Sequence, residues 1–487
     1  MSTHWIRRMG GVKRNPSTTA DGLRVAPPIL LALAISVFAG CANISSKNEP
    51  PSDVQAAWEG APEGVALELA ESTSAWWLGF NDPILNELMK TAETRNLDLR
   101  IEEARIREAR ALRQAAGANF RPDVSVFAEG VRQRPGGASA SPFNTFELGL
   151  DASWELDVFG RVRNQARAAE ADVQAAQADR DGVRVALLAE VARTYVEYRL
   201  YQAQTDIAQR TAAAEEGTVR ITRARFEQGM SNRMELERTV SALAVTRAQI
   251  PQARTLADSA RYRLAYLLAS TPETLSIALS AEKPMPDSDP LRVLLAPTDV
   301  LALRPDVRAA QQRLVSAGQL REAAAALRYP RITLAGLLGV ESGEVSDLLK
   351  SGSRTWSVGA GLLAPLFDFG RIRAAIDVAD AQQEQAYLSY ERTIRTALQE
   401  TQTAIVSYTQ GVVRQKEWAQ AVQSSRIAAN LARRQYMEGT LSLLEVLDAE
   451  RSLYVAELGW AQATADVSIR LVTVYKTMGI APAMTPS

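Results

Sequence analysis

The chain has 487 residues, with 55 Lys and Arg against 56 Asp and Glu, so it lacks the basic excess on which a general nucleic-acid binder relies. A single histidine, His4, and a single cysteine, Cys41, exclude a disulfide framework, a zinc cluster or a histidine-based catalytic arrangement within one chain. The hydrophobic share of 46% includes only 6% aromatic residues and is carried by Ala, Leu and Val, which suits long helices packed closely together.

In chain order, Arg7, Arg8, Lys13, Arg14 and Arg24 precede an apolar run at 29–38 that is too short to span a bilayer, so residues 1–40 read as an export signal. The run ends at Phe38-Ala39-Gly40-Cys41, similar to a bacterial lipobox, which makes Cys41 the expected lipidated N-terminus of the mature chain. Residues 41–82 are rich in Pro and Ser, carry Trp76, Trp77 and Phe80, and read as an extended arm. A helix is predicted over 83–117, with Leu85, Leu88, Met89, Leu97, Ile101 and Ile106 as its apolar side, stopped by Phe120-Arg121-Pro122. Two strands follow, at 123–134 and 146–157. In the second, Phe146, Leu148, Leu150, Ala152, Trp154 and Leu156 alternate with polar residues or glycine.

Residues 161–228 contain no proline and read as one helix of about 100 Å at ~1.5 Å per residue. After Gly229 the chain returns along a shorter helix containing Pro251, where a kink is expected. The prolines at 272, 284, 286, 290 and 297 mark 271–298 as a collar. The pattern then begins again: a helix at 299–328 stopped by Tyr329-Pro330, strands at 332–340 and 356–367, a proline-free helix at 371–438, and a return helix after Gly439. Trp154 to Arg163 matches Ala364 to Arg373 at an offset of 210, and the same offset places Gly229 on Gly439 and Glu190 on Glu400. The chain is therefore a duplication, with repeats at 83–270 and 299–478 and a tail at 479–487.

Four alternating strands per chain leave open edges that a bilayer does not tolerate, so closure needs several copies. Two copies would give a barrel filled by side chains, whereas three would give about twelve strands and leave a passage. Each long helix is expected to pair with two shorter ones set end to end, so that three chains form a helical tube continuing the barrel.

Leu303-Arg304-Pro305-Asp306, Pro365-Leu366-Phe367-Asp368-Phe369-Gly370-Arg371 and the stretch from Gly439 to Asp448 followed by Ala449 carry a resemblance to the TolC-like outer membrane efflux channels, in their NodT and OprM-type lipoprotein branch. The resemblance covers the mature chain. It implies an α+β membrane protein: a homotrimer sharing a 12-stranded barrel in the outer membrane, continued by a periplasmic helical barrel. Such a duct is passive, works without a cofactor, and receives small molecules from an inner-membrane efflux transporter through a periplasmic adaptor, or membrane fusion, protein.

Beyond Gly439, Leu441, Leu444, Glu445 and Asp448 fall at helical spacing on one stripe, and Leu443, Leu447, Tyr454 and Leu458 on another. In three copies Leu444 would form an apolar ring and Asp448 an acidic one, both devices that constrict a pore. The resemblance places Leu444 and Asp448 at constriction positions, with Leu441 standing where TolC has a gating arginine and Glu235 as the matching acid of the first repeat. It also makes Gly229, Met230, Ser231, Asn232 and Arg233 and Gly439, Thr440, Leu441, Ser442 and Leu443 the adaptor-docking tips. Gly160 and Gly370 are expected to be permissive joints between strand and helix, with Arg161 and Arg371 as solvated charges beside them. Two other readings stay open: a duct for type I protein or peptide secretion, and a periplasmic tether without a pore. Nothing converges as an enzyme site should.

Overall fold

The computed structural model describes residues 55, 57–61, 71–136, 141–279, 284–286, 291 and 294–480, all within one compact unit. The predicted signal at 1–40, Cys41 and residues 481–487 of the tail lie outside the described residues. The first repeat runs α1 (Pro83–Arg95), α2 (Leu97–Ala118), β1 (Asp123–Gln133), β2 (Phe143–Leu156), α3 (Arg161–Glu227) and α4 (Arg233–Leu267). A short α5 (Pro272–Leu279) precedes the second, which runs α6 (Pro297–Leu303), α7 (Pro305–Ala325), β3 (Arg331–Ser342), β4 (Arg354–Leu363), α8 (Arg371–Met437) and α9 (Leu443–Thr477). The duplication is kept to the residue: α3 and α8 each have 67 residues, α4 and α9 each 35.

The strands form one antiparallel sheet in the order β1-β2-β3-β4. Its register lines up the apolar positions of all four strands. Val126 pairs with Leu150, Leu150 with Leu338 and Leu338 with Trp356; the next rows hold Val124, Ala152, Gly336 and Val358, then Trp154, Leu334 and Ala360. One face of the sheet is therefore continuously apolar, and Val126, Leu338, Trp356 and Val358 on it are exposed. β4 stops at Leu363 rather than continuing to 367, because Pro365 has no N–H to give a ladder. Leu366, Phe367 and Phe369 beyond it stand almost fully exposed.

The helices repeat the order of the strands they serve. α3 packs on α2 and α4 on one side and on α7 and α9 on the other; α8 packs on α7 and α9. Ion pairs locate these contacts along the rods: Arg113–Glu170 joins α2 to α3, Arg313–Asp179 joins α7 to the upper part of α3, and Arg247–Glu216 joins α4 to its lower part.

Each predicted pre-strand helix is broken in two, at Asn96 (ψ 135) and at Arg304 (ψ 122). Asn96 accepts the Leu99 N–H at 3.1 Å to start α2, while its amide donates to the carbonyl of Leu267 at 2.8 Å. Arg304 precedes a proline, which disfavours the helical conformation, and it donates to the carbonyl of Thr477 at 2.9 Å. Leu267 ends α4 and Thr477 ends α9, so in both repeats the residue at the break grips the return helix, and the two short helices meet end to end.

Both return helices close with a left-handed residue, Ala269 (φ 46) in the first repeat and Gly479 (φ 73) in the second. Each uses the same pair of backbone bonds, Ala269 N to Tyr266 O with Ser270 N to Ala265 O, and Gly479 N to Lys476 O with Ile480 N to Tyr475 O. A side chain is disfavoured there, so Ala269→Gly should raise stability by about 1 kcal/mol. Gly479→Ala should lower it by more, since its Cβ would also lie 3.0 Å from the Arg304 Cα. Denaturant unfolding of the two variants checks both signs.

The arm contributes to the core. Trp58, Trp76, Trp77 and Phe80 pack with Leu188, Tyr195, Leu264 and Tyr475, and the Trp58 indole donates to the carbonyl of Leu295 at 2.6 Å. Asp82 caps α1 through the Ile84 N–H at 2.8 Å and accepts the Tyr195 hydroxyl at 2.5 Å, tying the start of the repeat to the middle of α3. α4 keeps one helical span through Pro251.

Candidate pore constriction

Two hairpin tips form where α3 turns into α4 and α8 into α9. Gly229 (φ 69) and Gly439 (φ 76) take the left-handed conformation there, and Met230 N and Thr440 N donate back to the carbonyls of Arg225 and Gln435. The tips are tied together: the Arg225 guanidinium lies 4.3 Å from the Tyr436 ring centroid and donates to the Tyr436 carbonyl at 2.8 Å. Met230, Asn232, Arg233, Gly439 and Thr440 are exposed, and Ser231 is half-buried.

The acids nearest the tips serve as helix caps. The Asn232 side chain accepts the Glu235 N–H at 2.9 Å, while the Ser231 hydroxyl donates to the Glu235 carboxylate at 2.5 Å. In the second repeat the hydroxyl and N–H of Ser442 donate to one Glu445 oxygen at 2.7 and 3.0 Å, and these bonds hold the Glu445 carboxyl below its ordinary range.

The stripe drawn through Leu441, Leu444, Glu445 and Asp448 divides in the folded chain. Helix α9 begins at Leu443, so helical spacing does not govern Leu441, which turns inward to pack with Ala432, Tyr436 and Val446. Leu443, named as a tip residue, is 4% exposed in that same cluster. Leu444 is 61% exposed, and Asp448 is exposed one turn further along, accepting a hydrogen bond from Arg451 at 2.7 Å. Of the four stripe residues, Leu444, Glu445 and Asp448 are thus open, with Glu445 engaged in capping the helix.

Sequence reasoning passed over a buried polar group just behind them. Glu450 is 4% exposed and accepts from Arg433 Nε at 2.6 Å and from the Thr218 hydroxyl at 3.3 Å. Its signal is in the sequence: Glu450 continues the buried line of Leu443 and Val446, so an acid occupies a core position.

At the strand–helix joints Gly160 (φ 79) and Gly370 (φ 86) are left-handed. Asp157 caps α3 through the N–H groups of Val162 and Arg163 at 2.8 and 2.9 Å, and Asp368 caps α8 through Ile372 N at 2.7 Å. Arg161 is not a free surface charge, because it forms a two-pronged pair with Glu155 at 2.9 and 2.7 Å; Arg371 is exposed. Phe159 stacks on Tyr329 at 4.8 Å, joining the two repeats at this level.

Comparison with known proteins agrees over nearly the whole described length. The family described as outer membrane efflux protein matches residues 88–270 and 296–480, which are the two repeats. The chain is 31% identical to the pyoverdine export outer membrane protein OpmQ of Pseudomonas putida, over 92% of this chain and 96% of that protein. It is also 31% identical to the toluene efflux pump outer membrane protein TtgF of Pseudomonas putida, with the same coverage. Among solved structures, the outer-membrane channel OprN superposes with a TM-score of 0.81 at 32% identity, covering 89% of this chain and 99% of that one. The open state of the Neisseria gonorrhoeae MtrE outer membrane channel gives 0.81 at 27% identity, with 92% and 100% covered. The chain belongs to the outer membrane efflux protein family.

Proposed function

We propose that three copies of this chain close their sheets into one barrel in the outer membrane and their helices into a tube beneath it. The result is the passive duct of a tripartite efflux pump, supplied by an inner-membrane transporter through a periplasmic adaptor. The observation that carries this reading is the shared order of strands and helices, which leaves β1 with α2 and α4 open on one edge and β4 with α8 open on the other. A bilayer admits no open sheet edge, and the continuous apolar face is the one to meet lipid. Among the described residues no helix is long and apolar enough to cross a membrane. Exposed Leu388, Val413 and Leu431 on α8 and Ile101, Leu112 and Val245 on α2 and α4 are apolar surfaces for adjoining copies to cover. The activities for which the relatives are named, toluene efflux and pyoverdine export, favour small molecules over secreted protein.

In this reading Leu444 and Asp448 constrict the lower end of the tube. The tips around Gly229 and Gly439 meet the adaptor through Met230, Asn232, Arg233 and Thr440, and Cys41 carries the lipid. Purified mature protein in a planar bilayer is expected to give small, cation-preferring currents. Leu444→Ser should raise conductance severalfold, and Asp448→Asn should weaken cation preference with little change in conductance. Currents unchanged in both would remove these residues from the gate, and a monomer that never enters the bilayer would refute the duct.

A further inference from the structure

Glu450 has a partner acid. Glu215 on α3 lies one turn before Thr218, the α3 residue that binds Glu450, and accepts the hydroxyl of Thr246 on α4 at 3.1 Å. Arg433 on α8 and Glu450 on α9 complete the group, so these side chains link all four helices of the wall at one level. That level lies just behind Asp448, two residues before Glu450. The Oε2 atoms of both Glu215 and Glu450 are buried without a hydrogen-bond partner among the described residues.

The charges at this level do not balance. From α8 comes one cation, Arg433; from α9 come Glu450 and the Tyr454 phenol; from α4 comes the neutral Thr246. The adjacent Glu216 on α3 is paired with Arg247 of α4 at 2.6 Å. The buried Glu450 and the half-buried Glu215 thus have one guanidinium near them, and it is paired with Glu450. Burial raises the Glu215 carboxyl above its ordinary range, and the Glu450 charge adds to this, against the Thr246 hydrogen bond and Arg433.

We infer that Glu215 and Glu450 form a proton-operated latch: with a proton on Glu215 the four helices close behind the constriction, and loss of that proton sets two negative charges against one arginine and spreads the tips. The sign follows from linkage. A closed state in which an acid is harder to ionise binds more protons than a spread one, so rising pH favours spreading, through a window that begins near the ordinary carboxylate value and ends at the raised one. This device rests on the reading of Leu444 and Asp448 as the constriction, yet it is measurable without ion flow.

Spin labels on cysteines placed at Ser231 and Thr440 in the detergent-solubilised full chain report the tip separation by pulsed electron resonance across pH 4 to 8. The separation is expected to step outward as pH rises. Glu215→Gln, which keeps the oxygen that accepts from Thr246, should hold the short distance throughout. Thr246→Val removes a bond that favours the ionised form, so it should move the midpoint up by about one pH unit. A wild-type distance that does not change with pH, or an unaltered step in Glu215→Gln, overturns the latch. A step in tip distance that persists while Leu444→Ser leaves the currents unchanged would keep the latch and discard the constriction.

Discussion

Trp76→Ala should cost about 3–5 kcal/mol, the range for removing a large aromatic from a packed core. Trp76 is buried, lies parallel to Tyr475 with ring centroids 5.7 Å apart, and meets Trp77 and Phe80 edge-on at 5.6 and 6.3 Å. Tyr475 lies in the last turn of α9, so the arm is fastened to the end of the second repeat before the first repeat has begun. Trp76→Phe should recover most of the loss because the stack on Tyr475 survives. Trp58→Phe, which loses the bond to the Leu295 carbonyl and part of the buried ring volume, should cost about 1–2 kcal/mol. Guanidinium titration of the helical signal measures all three, and a Trp76→Ala loss under ~1 kcal/mol would mean that the arm is an ornament on a core formed without it.

Arg304→Met should cost about 3–5 kcal/mol, because it strips one side chain of four anchored bonds in a buried site. Its guanidinium donates to both oxygens of Asp306 at 3.0 and 2.6 Å, to Glu400 at 2.8 Å and to the Thr477 carbonyl at 2.9 Å. Burial works against its charge, but the two carboxylates outweigh it and hold the guanidinium above its ordinary value. Lysine should not substitute, since one ammonium cannot reproduce the forked geometry. The equivalent Asn96→Ala breaks a neutral version of the same grip and should cost about 1–2 kcal/mol. Equal losses at the two sites would show that the carboxylates of Asp306 and Glu400 add nothing to the junction.

The large architecture was legible because it is written in long-range repetition and in period. The match of Trp154 to Arg163 with Ala364 to Arg373 marked the joints, and Gly160, Gly229, Gly370 and Gly439 bounded the proline-free long helices to within a residue. The break at Arg304 is marked locally by Pro305, whereas the break at Asn96 was not legible, because its side chain grips a carbonyl 171 residues further along the chain. Local pattern carries nothing of that partner. Leu441 was misplaced for a different reason: helical spacing was extended across Ser442, the cap that precedes the first turn. Glu450 was readable as an acid on an apolar line, but its companions Thr218, Glu215 and Arg433 come from other helices and needed the fold.

The breaks at Asn96 and Arg304 also bear on how force travels. Along each chain only α3 and α8 run unbroken from the sheet to the tips, while their neighbours are jointed at mid-height, where α4 abuts α2 and α9 abuts α7. Two stiff spars beside two jointed ones make a frame that resists stretching along its length but yields to shear between its upper and lower halves. A pull or twist applied at the tips would then be absorbed at the level of Asn96 and Arg304, and the strands would keep their register while the tips move.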